Sequence, residues 1–113
     1  MSGIHTHVRL SFYNDYEKDS LGFGTGMVRL LEIVERTGSI RQACQEMGMA
    51  YSKSWKILKK TEEEFGVPLL ERDRRRGSRL TEAARALLRD YHEVLTAARA
   101  AAETRYRELH PEE

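Results

Sequence analysis

The chain has 113 residues, 33% of them charged and 40% hydrophobic, with a formal net charge of +1 and a single cysteine. That length allows one domain with a modest core, with or without an extension. A lone cysteine excludes an intrachain disulfide and a cysteine-built zinc site, and no apolar run approaches the ~18 residues of a membrane helix. The charge is uneven: residues 41–79 hold ten Lys/Arg against six Asp/Glu, whereas residues 82–113 hold five Arg against seven Asp/Glu. A basic segment inside a near-neutral chain points to one face turned toward an anionic partner. With no signal-peptide apolar region at the N-terminus, a cytoplasmic location is the expectation.

In chain order, Val8, Leu10 and Phe12 alternate with His7, Arg9, Ser11 and Tyr13. Period two predicts a strand with one buried face, which needs a partner from later in the chain. Residues 14–26 are polar and glycine-rich and read as a loop. Met27, Leu30, Leu31 and Val34 then give the i, i+3, i+4, i+7 stripe of a first helix, over residues 27–37. Gly38 closes it and Ser39 opens a second helix as its N-cap. Ile40, Ala43, Cys44 and Met47 repeat the stripe; Gly48 ends that helix and Met49 plugs the turn. A third helix is expected over residues 50–65, with Trp55, Leu58, Thr61 and Phe65 inward and Ser52, Lys53, Lys56, Lys59 and Lys60 on other faces. Lys59 and Lys60 are expected to be solvated and balanced by Glu62, Glu63 and Glu64. Short helix, glycine turn and helix with a basic outer face form a helix-turn-helix signature, whose second helix can lie in the major groove.

Beyond Gly66, Pro68 disfavours helix. A β-hairpin wing is expected over residues 67–80, its tip holding Arg74, Arg75, Arg76 and Arg79. Thr81 caps a long helix to about Leu109, with Pro111 beyond it. Ala84, Leu88, Tyr91, Leu95, Ala98, Ala102 and Leu109 follow a four–three spacing broken only at Arg105. This heptad stripe predicts that the distal half pairs with a second copy of the chain, through Leu88, Tyr91, Leu95, Ala98, Ala102 and Leu109. The expected architecture is therefore mainly α: a three-helix core with an N-terminal strand and a wing over residues 1–80, and a dimerisation helix over residues 81–113.

The string GSI-x-x-A-x-x-x-G-M-x-Y-S-K-x-W is matched by Gly38, Ser39, Ile40, Ala43, Gly48, Met49, Tyr51, Ser52, Lys53 and Trp55. It resembles the N-terminal winged helix-turn-helix of the ModE family, molybdate-dependent transcriptional regulators whose DNA-binding domain is related in fold to that of LysR-type regulators. Gly24, Gly26, Leu30, Leu31, Leu80 and Thr81 fit the same pattern, so the likeness spans about residues 8–95. Three departures stand out. Ala50 replaces the usual serine and loses an N-cap worth ~1 kcal/mol. The wing is rich in arginine and poor in glycine, and Ala84 stands where the family carries glycine. The 113 residues leave no length for a molybdate-binding region, so molybdate sensing is not carried over and no cofactor is expected. The resemblance implies a bacterial or archaeal DNA-binding regulator that meets a pseudo-palindromic duplex as a homodimer.

Double-stranded DNA calls for cations on phosphates and donors on base edges. Lys56 suits guanine, Ser52 either base edge or a phosphate, and Tyr51 a thymine methyl or a phosphate; Lys53 lies on the same exposed half-turn. Ser39, Arg41 and Gln42 are placed to hold the backbone. Arg72, Arg74, Arg75, Arg76 and Arg79 suit phosphate contacts or minor-groove insertion from the wing. Trp55 is assigned to the core and Cys44 to a buried, inert thiol. No nucleophile–base–acid set, phosphate loop or metal cluster is visible, so an enzyme is not expected. His5 and His7 share a strand face and are taken as surface residues, as are His92 and His110. The competing reading is a protein-interaction module: the long helix recruits a separate sensor, and the acidic loop at residues 15–19 docks it.

Overall fold

The computed structural model describes residues 3–14 and 22–111; the acidic loop at residues 15–19 lies outside the described residues. The described chain runs α1 (Thr25–Thr37), α2 (Ile40–Met47), α3 (Tyr51–Phe65), β1 (Leu70–Asp73), β2 (Gly77–Leu80) and α4 (Glu82–Leu109). This is the expected winged helix-turn-helix with a long last helix. The helix boundaries follow the punctuation of the sequence. Gly38, Gly48 and Gly66 each end a helix in the left-handed conformation, where glycine escapes the Cβ clash. Ser39 Oγ and Thr81 Oγ1 accept bonds from the Gln42 and Ala84 amides and cap α2 and α4. α1 starts at Thr25, two residues earlier than the apolar stripe suggests, with no side-chain cap.

The apolar stripes of the helices meet in one core. Leu30, Leu31 and Val34 of α1, Ile40 and Ala43 of α2, Leu58 of α3, Leu69, Leu80 and Ala84 are all buried. Ser54 and Thr61 are also fully buried; their hydroxyls donate to the carbonyls of Tyr51 and Ile57, so neither hydroxyl is stranded. Phe23, inside the stretch read as loop, is fully buried. Its ring packs edge-on to Tyr91 of α4 at 5.9 Å and Phe65 of α3 at 6.1 Å, and stacks with Phe12 at 6.3 Å. This aromatic cluster ties the N-terminal segment, α3 and α4 together.

The predicted N-terminal strand keeps its alternation. Val8, Leu10 and Phe12 are half-buried while His7, Arg9, Ser11 and Tyr13 are exposed. Its ladder is reduced to one antiparallel bridge, Phe12 with Phe23. Beyond that bridge the segment lies along α4. The Tyr91 hydroxyl donates to the Leu10 carbonyl at 3.0 Å, and the Thr6 amide and hydroxyl donate to Glu103 at 2.6 and 2.7 Å. Those two donors, the hydroxyl first, hold the Glu103 carboxyl below its ordinary value.

This arrangement uses part of the expected dimer stripe inside the chain. Tyr91 and Leu95 are buried within their own chain, because the N-terminal segment and Phe23 cover that side of α4. Leu88 is half-buried beside a groove formed with Glu32, Arg36 and Leu80. Ala98 and Ala102 are half-buried, and Leu109 is 59% exposed. The apolar residue left open at mid-helix is Val94, 45% exposed. The distal half of α4 leaves the core. The radius of gyration is 17.1 Å, against about 13 Å for a compact chain of this length.

The wing is joined to the helices by backbone. Ser78 N–H donates to the Gly38 carbonyl at 2.9 Å. Gly77 sits at φ +81°, and a Cβ there would collide with that carbonyl oxygen. Gly66 has a similar φ of +69° but open space around it. Gly77→Ala therefore combines left-handed strain of about 1–2 kcal/mol with a steric collision, whereas Gly66→Ala carries the strain alone. In urea melts Gly77→Ala should lose more stability than Gly66→Ala; equal losses would show that the close approach is unimportant.

A second prediction concerns Glu103. A carboxyl with a depressed folded-state value stabilises the fold above its unfolded value and loses that contribution as pH falls through the folded one. The protection factor of the Thr6 amide should hold from neutral pH into the ordinary carboxylate range and drop below it. Protection that persists at still lower pH would exclude Glu103 as the anchor.

Candidate nucleic-acid interface

The turn between α2 and α3 is closed by Met49 N–H donating to the Cys44 carbonyl at 2.9 Å, with Gly48 at φ +63°. Ile40, Ala43 and Cys44 face the core on one side of it, and Ser54, Leu58 and Thr61 on the other. Cys44 is a buried free thiol, as expected. With those faces pinned, Ser52, Lys53 and Lys56 of α3 point outward and are exposed. Ala50 leaves the first turn of α3 without a side-chain cap or an acidic residue.

Three further predicted side chains, Arg41, Tyr51 and Arg72, converge with Trp55 on the start of α3. The Arg41 guanidinium lies 4.5 Å above the Tyr51 ring. Tyr51 meets Trp55 edge-to-face, with centroids 6.2 Å apart. The Arg72 guanidinium, arriving from β1, lies 4.7 Å above the Trp55 ring and donates to the Tyr51 hydroxyl at 3.3 Å. Trp55 is therefore half-buried rather than core: one part of the ring packs on the apolar cluster and its face carries an arginine. Residues 41, 51, 55 and 72 come from α2, α3 and the wing. Their spacing in sequence carries no periodicity that would announce the contact; the aromatic pair Tyr51 and Trp55, one helical turn apart, is the only local sign.

Gln42 and Ser39 are occupied more locally. Ser39 Oγ serves the Gln42 amide, and Gln42 Nε2 donates to Glu46 at 3.2 Å. Gln42, with Arg36 at 2.8 Å in support, holds the Glu46 carboxyl below its ordinary value. Ser39 keeps its hydroxyl proton for a further acceptor.

In the wing, Glu71 pairs with Arg79 across the two strands and Asp73 with Gly77. Arg74, Arg75 and Arg76 form the exposed tip, with Asp73 Oδ1 accepting the Arg75 amide at 2.8 Å. Arg79 does not belong to the tip: it lies two residues into β2, 3.6 Å from Glu71. The expected balance of Lys59 and Lys60 also changes. Glu62 accepts the Leu69 amide at 2.7 Å and buried Glu64 accepts the Asn14 amide at 2.7 Å. Both carboxylates hold backbone in place instead of facing the lysines. Glu63 alone of the three is exposed.

Among the described residues no group of three His, Cys, Asp or Glu is placed to hold a metal ion, and no helix is long and apolar enough to cross a membrane. His5 lies 3.9 Å from Glu103, and His92 lies 3.0 Å from Glu32.

The profile of the bacterial regulatory helix-turn-helix proteins of the lysR family matches residues 26–85, from α1 through the first turn of α4. No curated protein matches the chain. The matched residues are those that form the tri-helical core, the outward face of α3 and the wing. The chain belongs to the LysR-type bacterial regulatory helix-turn-helix family, and it is a DNA-binding transcription regulator.

Proposed function

We propose that the chain is a ModE-like regulator that places α3 in the major groove and binds a pseudo-palindromic duplex as a homodimer. The observation that carries the reading is the exposure of Ser52, Lys53 and Lys56 on one half-turn of α3, flanked by the arginine wing tip. Lys53 and Lys56 have no carboxylate partner among the described residues, so their charge is available to DNA. Ser52 and Lys56 read base edges; Arg74, Arg75 and Arg76 neutralise phosphates, and each neutralised phosphate releases counterions. Arg41, Tyr51 and Arg72 border the same face. Ser39 contributes through its free proton and Gln42 holds Glu46 away. Arg79, held by Glu71, is left out of this set. A phosphate at the N-terminus of α3 would satisfy the amides that Ala50 leaves uncapped.

Dimerisation follows α4. With Tyr91 and Leu95 used inside the chain, the available apolar face is Val94 and Ala101, seven residues apart, with half-buried Leu87 one heptad before, Ala98 between them and Leu109 beyond. Small residues at that spacing allow two helices to approach closely. A dimer built this way presents two α3 helices to half-sites ~34 Å apart, one turn of duplex.

Two experiments test the reading. Replacing Arg74, Arg75 and Arg76 by Ala should weaken binding to every duplex and flatten the dependence of affinity on salt; unchanged affinity would mean the wing does not touch DNA. A failure of the unmodified protein to shift random duplex at any salt would instead favour the interaction-module reading. For assembly, the protein should sediment as a dimer at micromolar concentration and Val94→Asp as a monomer with a similar thermal melt. A monomeric mass for the unmodified protein would remove the dimer and the palindrome together.

A further inference from the structure

Where the described structure holds an arginine side chain, it does so in two ways. Arg36, Arg79, Arg85, Arg105 and Arg107 each lie within 4 Å of a carboxylate. Arg41 and Arg72 have no carboxylate partner among the described residues and rest on aromatic faces instead. The difference is chemical. A carboxylate takes the in-plane N–H donors of a guanidinium and cancels its charge. An aromatic face holds the flat side of the group, leaves the charge uncancelled and leaves the in-plane N–H donors pointing outward. Arg72 spends one donor on the Tyr51 hydroxyl, out of the five a guanidinium carries.

The four side chains close a ring. Arg41 covers Tyr51, Tyr51 abuts Trp55, Trp55 carries Arg72, and Arg72 returns to Tyr51. The ring joins α2, the first two turns of α3 and β1. It thus holds one uncancelled guanidinium from α2 and another from the wing at fixed places around the exposed half-turn of Ser52, Lys53 and Lys56.

We infer that Trp55 and Tyr51 are positioning residues, whose ring faces aim Arg72 and Arg41 at two phosphates of the duplex backbone bordering the groove that α3 enters. This rests on the DNA-binding reading above and deepens it. Filling space is not enough to explain Trp55, because a residue needed only for packing has no use for a cation on its outer face. Single-stranded bases stacking on these rings are disfavoured, since an arginine already lies on a face of each.

The test is a double-mutant cycle on a duplex selected by the unmodified protein. Arg72→Ala should weaken binding about tenfold or more, the worth of a charge-assisted bond to phosphate. Trp55→Leu should weaken it by a similar factor although Arg72 is intact. The double variant should be no weaker than either single one. Trp55→Phe, which keeps a ring face, should retain most of the affinity; Arg72→Lys, which keeps the charge but not the planar group, should not. Thermal melts of the same variants separate lost folding from lost positioning. Losses that multiply in the double variant, or Trp55→Leu binding as tightly as the unmodified protein, would overturn the inference.

The stack can also be read without DNA. Trp55 is the chain's single tryptophan, so Arg72→Ala should change its emission in the free protein. An unchanged spectrum would overturn the stack itself. If the unmodified protein binds no duplex at low salt while the emission still responds to Arg72→Ala, it is the DNA reading that fails, and the phosphate assignment falls with it.

Discussion

One backbone contact sets the geometry on which the rest depends: the Gly38 carbonyl accepting the Ser78 amide, with Gly77 pressed against it. Gly38 is at once the end of α1, the hinge into α2 and the anchor of the wing. Three elements therefore share a single peptide unit. Because Gly77 can come this close only without a side chain, the two strands leave the helical core at a defined angle. From the other side, Thr81 bonds to the Pro68 and Leu69 carbonyls, and Glu62 takes the Leu69 amide. The wing is thus fastened at both roots, and its arginines stand at a fixed offset from α3. Both roots also bury an apolar side chain, Leu69 and Leu80. The directional bonds beside them add registration of wing to helix, because they specify an angle in a way that buried area does not.

The distribution of carboxylates gives the basic face its character. A net charge of +1 looks unpromising for a nucleic-acid partner. Yet Glu62 and Glu64 turn inward to hold backbone amides, Glu46 is engaged by Gln42 and Arg36, and Glu103 fastens the N-terminal segment on the far side of the molecule. These four acids are employed as acceptors within the fold. The cations at the tip of the wing and on the outer face of α3 are left without internal partners among the described residues. Placement, more than composition, creates the field that an incoming polyanion would meet.

Much of this was legible in the sequence wherever the signal is local. Glycines at 38, 48 and 66, hydroxyls at 39 and 81, and three apolar stripes locate the helices within about two residues. The outward set Ser52, Lys53 and Lys56 follows from the same periodicity. What escaped is what depends on neighbours distant in sequence. Phe23 sits between two glycines, with no periodic partners to reveal that it closes the core. The heptad of α4 is real as a pattern, but a pattern does not name its occupant. Tyr91 and Leu95 meet Phe23 and the N-terminal segment of the same chain, so the large apolar side chain left exposed at mid-helix is Val94. A run of arginines does not show where a turn ends; the pairing of Arg79 with Glu71 places it in the strand and not at the tip. The ring of Arg41, Tyr51, Trp55 and Arg72 likewise appears only once α2, α3 and β1 are folded together.

The N-terminal segment running back along α4 has a topological result. Thr6 lies beside Glu103, so the two ends of the described chain emerge at one pole, remote from the wing. Anything attached to either end occupies the same side of the molecule and leaves the opposite side clear. A short peptide joining the two ends would need to cross little distance, and new termini could be opened in a surface turn without disturbing the core. The fold is in this sense nearly a closed loop.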